Sequence, residues 1–184
     1  MVMRSRSILL AIISLVFVSM FVVDSSWEVE HRIEISARKS TIWTLLSELE
    51  NYSQWNRYSP SVEGELAVGE VVWVEAHLDN EIQRVQNIVL TVEPEQELCW
   101  QSADWYGSMA RGTRCRNLYP QGQGTTLLVH HEIMEGPLAW LIELIYRERI
   151  ERGIKLVDES LAQRAELITT GGSGGFTEHE KDKK

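Results

Sequence analysis

Four side chains in this sequence are candidates for a general acid or base by residue type: Glu75, His77, Asp104 and His131. General acid–base catalysis needs two such groups converging on one reacting atom. Spacing alone does not show that any two of these converge. His131 is the most informative, because it lies on a strand-like run from Thr125 to Glu135. By the period of two, Leu127, Val129, His131 and Ile133 share one face. That face is more apolar than the one carrying Leu128, His130, Glu132 and Met134, so His131 is expected to point inward. There it orients a ligand's polar end, titrates near neutral pH, or is held by hydrogen bonds as a core histidine. The triplet His130-His131-Glu132 is no metal site, since adjacent strand residues point to opposite faces.

No nucleophile motif, phosphate-binding loop or dinucleotide fingerprint is present, so no cofactor is expected. Cys99 and Cys115 flank the turn residues Trp105 to Gly107, and an antiparallel hairpin centred there sets them nearly opposite each other. Opposed strand residues are close enough for a disulfide; two separate buried thiols are the other reading. Arg111, Arg114 and Arg116 form the domain's one local concentration of basic residues. Arg114 and Arg116 share a strand face and could meet an acidic ligand group, although surface ion pairs are the simpler expectation.

These groups are carried by a recognisable run of elements. Residues 27–36 alternate as a first strand, and Ile42, Leu45, Leu46 and Leu49 recur at helical spacing. A short helix or turn over residues 51–60 ends at Pro60. Six strands follow, over 63–67, 70–78, 81–92, 97–103, 111–119 and 125–135, in consecutive hairpins. Gly136-Pro137 then stops the last strand and starts a long helix, 138–168. Its apolar stripe runs Ile142, Tyr146, Ile150, Ile154, Val157, Leu161, Ala165 and Ile168. Gly153, beside that stripe, suggests a close approach to the sheet. Residues 169–184 are glycine-rich and then charged, a composition expected to be disordered.

Residues Ile8 to Val23 form sixteen uncharged residues after Arg4 and Arg6 and before Asp24. The run is short for a transmembrane helix and long for a signal h-region. Its length and the lack of a good cleavage site favour an uncleaved anchor with residues 1–7 cytoplasmic and the domain outside. A cleaved signal, giving a secreted or periplasmic domain, is the alternative. From Asp24 to Ile168 there are 24 acidic and 13 basic residues, a net of −11. That charge argues against nucleic-acid binding.

Several short segments carry a family resemblance. Ile35-Ser36-Ala37 leads into Thr41-Ile42-Trp43, Asn51-Tyr52-Ser53-Gln54-Trp55-Asn56 follows, and Gly124-Thr125-Thr126-Leu127 opens a strand that leaves at Glu135-Gly136. In order and spacing, over residues 29–168, this resembles the START-like helix-grip superfamily. Within it the chain is most similar to the polyketide cyclase/dehydrase and lipid-transport group, the SRPBCC domains. The resemblance implies an α+β fold in which a curved antiparallel sheet of six to seven strands grips the C-terminal helix around an apolar cavity. It implies a binding protein for a lipid or other hydrophobic small molecule. An enzyme acting on such a molecule, or an interaction module with a filled cavity, are the alternatives.

Cavity-lining candidates are then His131, Tyr58, His77, Trp100, Trp105, Tyr106, Ile150 and Ile154. Trp100, Trp105 and Tyr106 either gate the cavity and meet a lipid interface or close one end of the core. Trp43 is expected to pack.

Overall fold

The computed structural model describes residues 25–78, 81–103, 109–122 and 124–171. Seven strands form one antiparallel sheet: β1 (Ser25–Ile35), β2 (Ser61–Gly64), β3 (Val71–Leu78), β4 (Glu81–Glu93), β5 (Glu97–Ser102), β6 (Arg111–Pro120) and β7 (Thr126–Gly136). Their spatial order is β1-β7-β6-β5-β4-β3-β2, so every sequential pair from β2 to β7 is a neighbour and β1 closes the far edge. Between β1 and β2 lie helix α1 (Lys39–Ser47) and a 3-10 turn, Leu49–Gln54. The C-terminal helix α2 (Ala139–Gly171) crosses the concave face and packs on β1, β7 and β3. The α+β helix-grip architecture expected from the sequence is the one observed.

Alternation explains the sheet. On β1, Trp27, Val29 and Ile35 are buried, while Glu28, Glu30, Arg32 and Glu34 between them are exposed. At the end of β7, Gly136 has φ 130°, a conformation that L side chains rarely adopt. A Cβ there would also meet the Met109 carbonyl oxygen at 2.6 Å, so only glycine permits this close turn into α2. Ser25 Oγ donates to the Gly136 carbonyl and accepts from the Trp140 amide, and the Trp27 indole donates to the Ala139 carbonyl. The start of β1 is thereby fixed to the first turn of α2.

The core has two parts. The larger gathers Ile42, Leu46, Leu98, Leu128, Val157 and Leu161 with Tyr52, whose hydroxyl donates to the Leu46 carbonyl at 2.7 Å. A smaller cluster unites Trp27, Val29, Met134, Ala139, Ile150 and Ile154 near the front of the helix. Trp43 packs at the edge of the larger core, as expected. Ile168 departs from the expected stripe: it is 45% exposed.

Cys99 and Cys115 are directly paired across β5 and β6, 4.2 Å apart at Cα, and form a disulfide. Among the described residues no helix is long and apolar enough to cross a membrane. The expected anchor at 8–23 and the tail from 172 onward lie outside the described residues, as do Asp104, Trp105 and Tyr106.

Candidate functional site

Between the front half of α2 and the concave sheet lies a cavity of about 670 Å³, within the ordinary range for small-molecule sites. Apolar walls come from Val74 and Ala76 on β3, Met134 on β7, and Leu141, Ile142 and Ile150 on α2. A smaller, shallower depression of about 510 Å³ beside Ile33, Glu34 and Leu167 lies open to solvent and presents no buried polar group.

The polar part of the cavity wall is an ion pair. Arg114 on β6 and Glu132 on β7 are register partners, and the guanidinium Nε and Nη2 both donate to Glu132 Oε2, the first at 2.8 Å. Their side chains are only 12% and 10% exposed. Burial opposes the charge on Arg114, but the Glu132 carboxylate and the Tyr58 hydroxyl outweigh it and hold the guanidinium above its ordinary value. Tyr58 sits 5.6 Å from the Arg114 Cζ, and burial pushes its hydroxyl up against a smaller opposing effect of Arg114. The second carboxylate oxygen of Glu132, Oε1, has no hydrogen-bond partner among the described residues. Gly112 leaves the space beside that oxygen open; a Cβ there would come within 3.2 Å of it.

Tyr58 owes its position to Gly153. A Cβ on residue 153 would lie 2.3 Å from the Tyr58 Cε2, so the phenol ring rests on the bare backbone of α2. The close approach inferred from Gly153 is real, but its partner is this ring and not the sheet.

Behind the cavity is a second polar group with a different character. Asp158 on α2 is fully buried and accepts from two histidines, His130 at 2.7 Å through Oδ1 and His31 at 2.8 Å through Oδ2. Desolvation pushes His130 down to about 4 even though Asp158 favours its protonation. Burial alone would raise Asp158, but His130, His31 and Arg116 hold its carboxyl below the usual range. The Asp158 hydrogen bond raises His31 against partial desolvation. His130 is therefore neutral at pH 7 and donates from Nδ1, while Asp158 is ionised. Arg116 is 2% exposed, stacks over Trp100 at 4.9 Å, and has no hydrogen-bond partner for Nε or Nη1 among the described residues.

The expected site residues divide accordingly. Tyr58, Trp100 and Ile150 are in the cavity wall. Ile154 is fully buried one turn further along α2, within the smaller core cluster. His77 is outside the cavity: it bonds Glu75 at 3.0 Å, and both alternate with the inward residues Val74 and Ala76.

His131 is a correction. The inward set on β7 is Leu128, His130, Glu132 and Met134, and His131 lies on the opposite face with its register partners Glu30 and Cys115. The more apolar face lost because its rival faces Arg114, Arg116 and Asp158, which pair or neutralise its polar groups. His131 does not converge with Glu75 either, since four strand spacings, about 19 Å, separate β7 from β3. Arg114 and Arg116 are a second correction: they are buried inside the grip and are not surface ion pairs.

Sequence reasoning missed Glu132, His130 and Asp158. The available signal was Asp158 itself, an acid in the middle of the apolar stripe between Ile154 and Leu161. Such a group demands buried partners.

No family model matches the chain, and no curated protein matches it by sequence. Solved structures do resemble it. The Zhui aromatase/cyclase from Streptomyces sp. R1128 superposes with TM-score 0.66 at 15% identity, covering 82% of this chain and 100% of that one. A protein of unknown function from Staphylococcus aureus gives 0.64 at 12%, covering 81% and 99%. Norcoclaurine synthase from Thalictrum flavum, in complex with dopamine and hydroxybenzaldehyde, gives 0.61 at 11%, covering 81% and 90%. The chain shares the fold of these structures, an antiparallel sheet gripping a long C-terminal helix.

Proposed function

We propose that this protein binds a lipid or other hydrophobic small molecule in the cavity under α2, and that the run Ile8–Val23 tethers it to a membrane with the domain on the extracytoplasmic side. The observation that carries the binding reading is the cavity of about 670 Å³, apolar on most sides and polar at Arg114–Glu132. The ion pair is internally neutral, so it favours an uncharged hydroxyl or carbonyl at the ligand's polar end over a free charge. Glu132 Oε1 accepts from a ligand hydroxyl, and the Tyr58 hydroxyl beside it is a donor for a ligand carbonyl. Trp100, stacked on Arg116, and Ile150 close the apolar wall. The disulfide supports an oxidising location, since such bonds persist mainly outside the cytosol.

A second reading, an enzyme working on a hydrophobic substrate in the same cavity, draws on the same pair. A carboxylate with one oxygen unengaged among the described residues, next to a buried phenol, is a workable acid–base couple. The interaction-module reading depended on a filled cavity, and this one is open.

Native mass spectrometry of the full chain extracted in detergent tests the binding reading. A co-purifying hydrophobic molecule is expected on the wild type, and its loss is expected for Ala76→Phe, which places a ring in the cavity. Repeated recovery of empty wild-type protein from its native host would contradict it. An intact N-terminus in the same spectrum supports the anchor, and a chain beginning near Ser26 defeats it.

A further inference from the structure

The outward stripe of α2 changes chemistry partway along its length. In the first two turns it carries Trp140, Leu141, Leu144 and Ile145; Leu144 is 77% and Ile145 52% exposed. The positions that continue the same stripe are Glu148, Glu151, Arg152 and Lys155, with side chains 91%, 46%, 57% and 63% exposed. A helix that is apolar outward at one end and charged outward beyond it fits a surface between an apolar phase and water. Met109, 36% exposed, lies at this same end, with its carbonyl accepting from the Leu138 amide. Tryptophan is among the residues favoured at a lipid–water interface.

The position of the chain's start supplies the occupant. Ser25 is hydrogen-bonded to both Gly136 and Trp140, so β1 begins against the first turn of α2. Only Asp24 separates Ser25 from the end of the apolar run Ile8–Val23. An anchor ending there delivers this apolar end of α2 to the bilayer surface with almost no slack. The other exposed apolar pair on the helix, Leu167 and Ile168, is about 36 Å away along the axis and has no such neighbour.

We propose that Trp140, Leu141, Leu144 and Ile145 dip into the interface of a zwitterionic bilayer, turning the adjoining mouth of the cavity toward the lipid. The net −11 of the domain favours an uncharged headgroup layer over an anionic one. Leu141 belongs to both surfaces, since it also lines the cavity. A hydrophobic ligand then passes between bilayer and cavity without crossing water. The proposal rests on the anchor reading above, and its readout differs from that of cavity occupancy.

The test uses the full chain in phosphatidylcholine vesicles. Cys99 and Cys115 are bonded to each other, so a cysteine introduced by Leu144→Cys or Glu148→Cys takes an environment-sensitive fluorophore alone. Lipid-borne nitroxide is expected to quench the label at 144 several-fold more than the label at 148. Adding Leu144→Glu and Ile145→Glu together, both at exposed positions, should reduce lipid quenching of a label at Leu141→Cys roughly tenfold. Equal quenching at 144 and 148 in vesicle-bound protein overturns the docking and leaves the anchor standing. So does a label at 144 shielded from water but not quenched by lipid, which would mean that a second copy or another part of this chain covers the face. A chain recovered wholly in the aqueous phase overturns anchor and docking together, while ligand retention in the mass spectrum remains a separate result.

Discussion

The two halves of α2 lie on the same sheet and do opposite things. From Gly153 to Ala165 the helix is sealed: Ile154, Val157, Leu161 and Ala165 are at most 1% exposed, and its one inward acid is fully engaged by two histidines. From Ala139 to Ile150 it holds the sheet at a distance, encloses a cavity and leaves Leu144 and Ile145 uncovered. One helix therefore supplies both the part that holds the fold together and the part that leaves it open. Stability should reside in the sealed half, and binding in the open one.

Truncations give the largest contrast. Leu161→Ala should cost about 2–5 kcal/mol in denaturant unfolding, because the close-packed site around it collapses only partly. Leu141→Ala in the cavity wall should cost under about 1 kcal/mol, since little packing is lost where one side already faces space. Similar losses at both positions would remove the distinction between the halves.

Gly153→Ala tests the boundary. The added methyl must displace the Tyr58 ring, an overpacking cost of about 1–3 kcal/mol, against which alanine's helix preference returns about 1. The expected result is a modest net loss of stability with weakened ligand retention, because the ring moves toward the cavity. Unchanged retention would show that Tyr58 is not part of the binding surface.

The smallest effect is in the pH dependence of the sealed half. His130 is held down to about 4, below its ordinary 6.5. As pH falls from about 6.5 toward 4 the unfolded chain takes up this proton and the folded chain does not, so stability declines through that window. His31 is raised by Asp158 and works the other way. Its contribution is full below about 6.5 and is lost as pH rises through its elevated folded value. Asp158 contributes above its ordinary 3.8 and loses that contribution as pH falls through its lowered folded value. His130→Gln should flatten the decline between pH 6.5 and 4 in denaturant melts taken at fixed salt. An unchanged slope would mean that His130 is not the group responsible.

Most of the fold was legible because periodicity reports burial directly. The alternation on β1, the hairpin spacing from β3 to β7 and the break at Gly136-Pro137 each state a local rule that the structure obeys. That Cys99 and Cys115 lie opposite each other followed from hairpin symmetry; that they are bonded and not two separate thiols did not. The site was less legible because its polarity is resolved across strands and not along them. On β7 the more apolar face points outward, because the choice between His130 and His131 was decided by Arg114, Arg116 and Asp158 on other elements. A rule that reads one strand at a time gives the wrong face there. Asp158 in the stripe and Gly153 beside it were the two sequence clues that a buried polar seam and a tightly packed ring lay within the grip.

The division between the halves can be measured directly by methyl NMR of the full chain in detergent, titrated with 2-naphthol, a neutral ring bearing one hydroxyl. Shifts are expected at Ala76, Leu141, Ile142 and Ile150, and none at Ile42, Leu46 or Leu161. Glu132→Gln, which keeps the carboxylate's size but weakens the acceptor and its hold on Arg114, should raise the concentration of probe needed. Shifts spread evenly over both sets, or confined to the surface residues Leu167 and Ile168, would contradict a binding cavity beneath the front of the helix.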